Sequence, residues 1–493
     1  MEKNSEVDGT VSNRAENSIP TDYSALAKDD VQEYEYDYLT EQWGLEDISR
    51  YNKGGFHPIH IEDVLDDRYE VVHKLGSGGF GTVWLCRDHH LEKWRAVKVM
   101  TAEHSSNSAE AKMFEFLKQN SSLEELDKNH IATPLESFWI EGPNGRHLCL
   151  VMQIYGYRVS DWRLDLDNIE PSTRKDSAEL CGQITQALAF LHSKGVCHGD
   201  FRPSNILMKL DQDALHELDQ TQMIELLGEP EGYEVQTKSG ESPCPKGPEY
   251  CVLNVSMMWC ERLIIPEIVI IDFGESFFLN NPKNTTGIPT SYAAPEVLFH
   301  QVTGVGVDIW SLACTIYEIR TRDQLFGGSF YGSNFNRVVY EMEIILGPLA
   351  MPYREVWDCE GLKGPDTIAR ACDEEDSPES AATCSLKSLE CGRNDHIRDS
   401  GYDDILEAIL GAEREQCHSL LSEDRWKPPI KYRYERKEVL ALADLLRRLL
   451  KYHPEERVGA ESILQHEWLQ STRASYKARA EADEDELLGL EFL

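Results

Sequence analysis

The sequence has no apolar run long enough to cross a bilayer; its longest, such as Ile268-Val269-Ile270-Ile271, are of strand length. Its opening residues, Met1-Glu2-Lys3-Asn4-Ser5-Glu6, lack the apolar stretch of a secretory signal. A reducing setting with unpaired, buried thiols is therefore expected. The 13 cysteines are scattered, and although Cys244, Cys251 and Cys260 lie closer together, no Cys-x-x-Cys pair or His-rich partner accompanies them. That pattern excludes a zinc site of the usual spacing. No internal repeat and no Lys/Arg cluster are visible, which leaves cytoplasm and nucleus both open. Basic residues are the scarcest resource: 49 Lys and Arg face 87 Asp and Glu, a net charge of −38. A field of that sign repels nucleic acid and anionic lipid and attracts basic partners. Direct nucleic-acid binding and membrane association are therefore not expected, whereas a cationic protein substrate suits the charge. Acidic tails that only solubilise the chain would explain the same excess.

What is present is ordinary for a soluble protein: 41% apolar and 28% charged residues over 493 positions, enough to bury a large core. Residues 1–67 form an acidic arm, densest at Glu33-Tyr34-Glu35-Tyr36-Asp37-Tyr38, whose composition favours partial disorder. From Arg68 the pattern changes. Tyr69 to Leu75, Thr82 to Cys86 and Arg95 to Met100 read as strands. Ala109, Met113, Phe116 and Leu117 then recur at helical spacing. Residues 68–152 are thus a small sheet-based lobe, and Gln153-Ile154-Tyr155-Gly156 links it to a larger helical lobe over 153–470. The longest stripe there is Leu180, Ile184, Ala187, Leu188 and Leu191. Two stretches, about 209–267 and 358–431, are too long for ordinary connections and read as insertions. Residues 471–493 are an acidic tail. The expected class is α+β, with two lobes.

Three separated segments share one chemical task. Glycines at 76, 78 and 81 follow a strand and are followed by another, Thr82-Val83-Trp84. Without a Cβ, their backbone N–H groups can close on phosphate oxygens. A dinucleotide fold uses the same glycine spacing but opens directly into a helix. Lys98, on the short strand Arg95-Ala96-Val97-Lys98, is placed to pair with α/β-phosphates and to be held by a carboxylate on the next helix. Glu110 is the expected partner and Glu115 the fallback. In His198-Gly199-Asp200, Asp200 suits a base that accepts a hydroxyl proton, with Asn205 five residues on as a magnesium ligand. Asp272, of Asp272-Phe273-Gly274, follows the buried-strand pattern Ile268 to Ile271 and suits Mg²⁺ chelation.

With Ala294-Pro295-Glu296, Asp308-Ile309-Trp310 and Arg457 in order behind them, these motifs resemble the protein-kinase set from about Arg68 to Leu469. Within that group the chain is most similar to the SR protein kinases, in particular their divergent fungal kind. The strings that carry this are Tyr51-Asn52-Lys53-Gly54-Gly55-Phe56-His57-Pro58-Ile59-His60-Ile61, Asp67-Arg68-Tyr69, Lys74-Leu75-Gly76, Leu85-Cys86-Arg87-Asp88 and Asp272-Phe273-Gly274-Glu275-Ser276, with the long spacer ahead of Asp272. The resemblance implies a bilobal kinase fold, a monomer using ATP and Mg²⁺, and serine phosphorylation of Arg/Ser-rich proteins. It implies a nucleotide site from Leu75, Gly76, Gly78, Gly81, Val83, Ala96, Lys98, Gln153 and Tyr155. Catalysis would fall to Asp200, Arg202, Lys98 and Glu110, and metal binding to Asn205 and Asp272. Asp308 and Arg457 would brace the catalytic loop and the Glu296 corner.

The chain departs from the pattern in places. Gly199 stands where an arginine is usual, so no cation waits there for a phosphorylated activation segment. Arg202 replaces a lysine, keeping charge but not geometry. Ile288-Pro289 stands where a threonine is common, beside Thr290-Ser291. Pro203 fits serine/threonine specificity. Two rivals are a small-molecule kinase of the aminoglycoside or choline type, which shares His-Gly-Asp but lacks the Ala294-Pro295-Glu296 corner, and a pseudokinase scaffold, against which the full set Lys98, Asp200, Asn205 and Asp272 argues.

Overall fold

Strand-forming segments on either side of short turns build the first layer. In the computed structural model the described residues are 45–470, apart from 162–175, 256–259, 261, 285, 328–334, 360–399 and 417–427. The first lobe is one antiparallel sheet in the order β1-β2-β3-β4-β6-β5. Its strands are β1 (Val64–Leu65), β2 (Tyr69–Gly78), β3 (Gly81–Asp88), β4 (Lys93–Met100), β5 (Glu136–Gly142) and β6 (Gly145–Met152). Alternation sorts the side chains. Trp84, Cys86, Val97 and Val99 join one buried cluster with Tyr69, Cys149 and Val151, while Leu85 and Ala96 belong to another on the opposite face. Between β4 and β5 run helices α1 (Ala102–Ser105), α2 (Ala109–Asn120) and α3 (Leu123–Lys128). Ser108 caps α2, its Oγ accepting the Ala111 N–H at 3.0 Å. Glu110, Met113, Phe114 and Leu117 form the buried face of α2, the spacing expected of one helical side.

The second lobe is centred on two long helices, α4 (Asp176–Ser193) and, further on, Val305–Thr321. The stripe Leu180, Ile184, Ala187, Leu188 and Leu191 is fully buried against that second helix and the strands that follow α4. Those are β7 (Val196–Cys197) and β8 (Ile206–Leu210); β8 pairs with β11 (Ile264–Ile270), and β7 with β12 (Phe277–Phe278). Between β8 and β11 lie α5 (Gln212–Glu217), α6 (Gln220–Leu227), β9 (Gly232–Glu234) and β10 (Tyr250–Val252). Next come α7 (Pro295–Leu298), α8 (Val305–Thr321), α9 (Phe335–Leu346) and α10 (Tyr353–Cys359), with further helices at Ile405–Gly411 and Arg436–Leu449.

The structure differs from the sequence expectation at three boundaries. Residues 45–67, assigned by composition to the arm, are packed: Ile59 and Leu65 are buried against the first lobe, and Tyr51 and Phe56 against Val235 and Cys251. Four well-spaced apolar anchors outweigh an acidic average. The spacer also begins and ends inside the expected 209–267, because β8 runs to Leu210 and β11 starts at Ile264. The spacer does not hang free. Trp94 Nε1 donates to Leu218 O at 2.9 Å, Val255 N to Lys74 O at 2.9 Å and Asn144 Nδ2 to Lys246 O at 2.7 Å. It therefore ties the first lobe to the strands that flank residues 198–205. In the second expected insertion, Leu406 and Leu410 are buried in the large core. The densest part of the acidic arm, residues 360–399 and the acidic tail lie outside the described residues.

Candidate active site

Register brings the first components together. Val83 stands opposite Lys98 and Leu85 opposite Ala96, so all four point to one side of the sheet. Leu75, Val83 and Ala96 border a single apolar cluster with Met152 and Ile154. Gln153 and Tyr155, half-buried, flank Ile154 in the link between lobes, and the Ile154 carbonyl accepts Gln212 Nε2 from the spacer at 2.9 Å. An apolar slot with Lys98 at its inner end results.

Lys98 Nζ lies 2.7 Å from Glu110 Oε2 and 3.2 Å from Asp272 Oδ1. Of the two candidate carboxylates on α2, Glu110 is the one buried; Glu115 is exposed and accepts Gln119 Nε2. Burial disfavours the Lys98 ammonium, but the charges of Asp272 and Glu110 outweigh it and hold the group protonated well above the usual lysine range. Complete burial pushes the Glu110 carboxyl up, with Lys98 opposing. Burial opposes ionisation of Asp272 as well; there the Lys98 charge and hydrogen bond, His198 and the Gly274 N–H prevail, and its carboxyl is held down. Asp272 sits at φ +62°, a left-handed conformation that costs a non-glycine residue about 1–2 kcal/mol. Such strain concentrates at functional positions. Phe273 beneath it is fully buried, its ring centroid 5.2 Å from Phe114 of α2 and 5.1 Å from His198.

The loop after β7 presents a second group of polar side chains. Asp200 Oδ1 accepts Arg202 Nε at 2.9 Å, and its Oδ2 accepts Asn205 Nδ2 at 2.7 Å. Arg202 thus grips the Asp200 carboxylate, despite its different shape from lysine. Asn205 also donates to the Asp200 carbonyl at 2.8 Å, which commits its amide nitrogen and leaves the amide oxygen free to accept. The loop is fastened to the Asp272 segment: His198 Nε2 lies 3.0 Å from Ile271 O, Ile271 N donates to Asn205 O at 3.0 Å, and Ser276 Oγ donates to His198 O at 3.0 Å. From beneath, Asp308 of α8 accepts His198 N at 2.8 Å, Gly199 N at 2.9 Å and His192 Nε2 at 3.0 Å. Gly199 has φ +78°, and a Cβ there would come within 2.5 Å of Glu275 O. Local sterics therefore favour glycine over the usual arginine. Arg457 closes the far corner, its Nη1 and Nη2 lying 2.6 and 2.8 Å from the two oxygens of Glu296.

These residues fit a magnesium nucleotide. Two carboxylates share one ammonium, leaving net negative charge beside the oxygens of Asp200 and Asn205, a hard-donor set of the kind Mg²⁺ takes. The glycines separate in the same sense. A Cβ on Gly81 would meet Val99 O at 2.3 Å, so the sheet itself requires that glycine. At Gly76, Gly78 and Gly79 a Cβ would touch nothing of the chain within 4 Å, which leaves a bare backbone surface able to admit phosphate oxygens.

The model of the protein kinase domain matches residues 69–219 and 262–469, most of the chain, and leaves out the centre of the spacer. The chain belongs to the protein kinase family. Among its relatives, this kinase is 29% identical over 298 residues to serine/threonine-protein kinase SRPK of Physarum polycephalum, covering 58% of this chain and 67% of that one. It is 35% identical over 167 residues to SRSF protein kinase 3 of Homo sapiens, covering 33% of this chain but 29% of the relative. To protein kinase dsk1 of Schizosaccharomyces pombe it is 33% identical over 184 residues, covering 35% and 32%. The match thus spans under a third of the length of the last two relatives. A solved kinase-domain crystal structure superposes with a TM-score of 0.50 at 20% identity, covering 84% of this chain and 98% of that one, a likeness of fold.

Proposed function

We propose that this kinase is an ATP- and Mg²⁺-dependent serine/threonine protein kinase, acting as a monomer in the cytoplasm or nucleus on basic, Arg/Ser-rich substrates. The shared ammonium carries the reading: Lys98 is bonded at once to Glu110 of α2 and to Asp272, so the small lobe, its helix and the metal-binding segment are aligned together. Bound Mg²⁺ would neutralise charge building on the transferred phosphoryl group and the leaving diphosphate. Asp272 and the Asn205 amide oxygen are the residues to hold it. Lys98 orients the α/β-phosphates, and the apolar slot of Leu75, Val83 and Ala96 receives the base. Asp200 takes the hydroxyl proton as the substrate oxygen forms its bond to phosphorus and the bridging bond to ADP breaks. Arg202 fixes the orientation of Asp200. Pro203 supports serine or threonine as the acceptor.

A basic substrate is supported by the −38 charge and by the names of the relatives. Purified protein with ATP, Mg²⁺ and an Arg/Ser-repeat peptide is expected to incorporate phosphate on serine, with Asp200→Ala slower by about 10²–10⁴-fold. Equal incorporation by both proteins would point to a contaminant and remove the proposal. The same assay disposes of the scaffold reading, and a small-molecule kinase would leave the peptide untouched.

The activation segment carries its own fastenings. Lys283 Nζ donates to Glu275 O at 2.9 Å, and Tyr292 OH to Glu318 at 2.5 Å. Ser311 Oγ donates to Tyr292 O at 3.0 Å. With Gly199 in place of an arginine, activity is expected to survive exhaustive phosphatase treatment; a phosphatase-treated enzyme that no longer turns over would refute this.

A further inference from the structure

The proposed phosphate-binding turn is gripped from outside by a residue that belongs to none of the kinase motifs. Residues 45–61 form a platform on the small lobe. Ala102 N donates to Gly55 O at 3.1 Å, Glu103 N to Gly54 O at 2.8 Å, and Gly54 N to Asn144 O at 2.8 Å. Glu46 anchors the start of the platform, pairing with the fully buried Lys74 of β2 and accepting Tyr51 OH at 2.6 Å. From this platform Arg50 reaches the turn between β2 and β3. Its Nη2 donates to Gly79 O at 2.7 Å and its Nη1 to Gly78 O at 3.4 Å. The guanidinium is itself oriented by the Phe56 ring, 4.5 Å away, and by the Glu103 carboxylate at 3.7 Å. The next carbonyl, Phe80 O, accepts Thr101 N at 2.9 Å.

Three successive peptide planes of the turn are thus held by their oxygens. In a trans peptide the N–H points opposite to the C=O, so fixing the Gly78 and Gly79 carbonyls also fixes the N–H groups of Gly79 and Phe80 toward the other side, while Gly81 pairs with Gly78 across the turn. Those are the donors a phosphate cradle needs, in a glycine-rich turn that otherwise has wide conformational freedom. We propose that Arg50 is a positioning residue: by clamping the carbonyls of Gly78 and Gly79 it presets the N–H groups that receive the terminal phosphates of the nucleotide. This rests on the kinase reading. Arg50 acts through the turn and does not itself contact nucleotide.

The test uses the full chain, with MgATP and adenosine binding measured by calorimetry and backbone hydrogen exchange followed over Gly76–Thr82. Loss of two hydrogen bonds to the turn in Arg50→Ala is expected to weaken MgATP binding about 5–10-fold, raising KM for ATP more than it lowers kcat. Adenosine binding stays level, because adenosine has no phosphates, and amide exchange across the turn accelerates. Arg50→Lys, which keeps the charge and stem but cannot fork to two carbonyls, is expected to fall between the two. Unchanged MgATP binding in Arg50→Ala, equal losses for MgATP and adenosine, or Arg50→Lys indistinguishable from wild type would each overturn the clamp. Should Arg50→Ala loosen the platform, the lysine variant decides. A wild-type chain that binds neither MgATP nor adenosine strikes down the kinase reading and the clamp with it; a binding wild type with an indifferent Arg50→Ala strikes down the clamp alone.

Discussion

Asp272→Asn is expected to lower kcat by about 10³-fold or more while leaving the fold intact, because it removes charge from the proposed metal site without changing shape. Asparagine tolerates the left-handed backbone at φ +62° as well as aspartate does, so no new strain enters. Lys98 keeps its 2.7 Å partner Glu110, and a matched buried pair remains where a two-to-one cluster stood. Thermal stability should therefore move by no more than about 1 kcal/mol. Single-turnover phosphorylation paired with a melting curve separates the two effects. A variant retaining a tenth or more of wild-type turnover would remove Asp272 from the proposed metal site.

Arg457→Ala is the corresponding expectation for stability. Arg457 and Glu296 are almost wholly buried, and the guanidinium meets both carboxylate oxygens while also donating to the carbonyls of Gly306 and Lys451. Removing the cation leaves a buried, uncompensated carboxylate, a loss of about 3–5 kcal/mol. For a lobe of this size the melting point should fall by roughly 10 °C. The double variant Glu296→Leu with Arg457→Met is expected to recover part of that, since no orphaned charge remains. If the single variant melts with wild type, the corner is not held by this pair.

Lys98, Asp200, Asn205 and Asp272 could be singled out from the sequence because their proposed chemistry tolerates few residue types and little change in spacing. The choice between Glu110 and Glu115 was harder. Five residues turn a helix by about 140°, so the two carboxylates leave α2 in different directions. The apolar positions Met113 and Leu117 place Glu110 on their own side, and burial agrees. Gly199 shows another limit. Its departure from the usual arginine is plain in the sequence, but its left-handed φ and the closeness of Glu275 O arise only from the fold.

Residues 45–67 and the spacer were the least legible. Their composition is acidic, or rich in glycine and proline, and a local average cannot register a partner far along the chain. Tyr51 and Phe56 pack with Val235 and Cys251, nearly two hundred positions away. No motif in the sequence contains Arg50, whose partners are the carbonyls of Gly78 and Gly79, nearly thirty positions on.

By itself the amino-acid order determined the strand-glycine-strand turn, the lysine on an apolar strand and the two acidic loops, since short-range sterics and side-chain chemistry dictate each within a few residues. Only the tertiary structure decided which carboxylate meets Lys98, what holds the glycine turn and how the spacer joins both lobes. Those depend on contacts between distant segments, whose partners are chosen by burial and shape and not by neighbours in sequence.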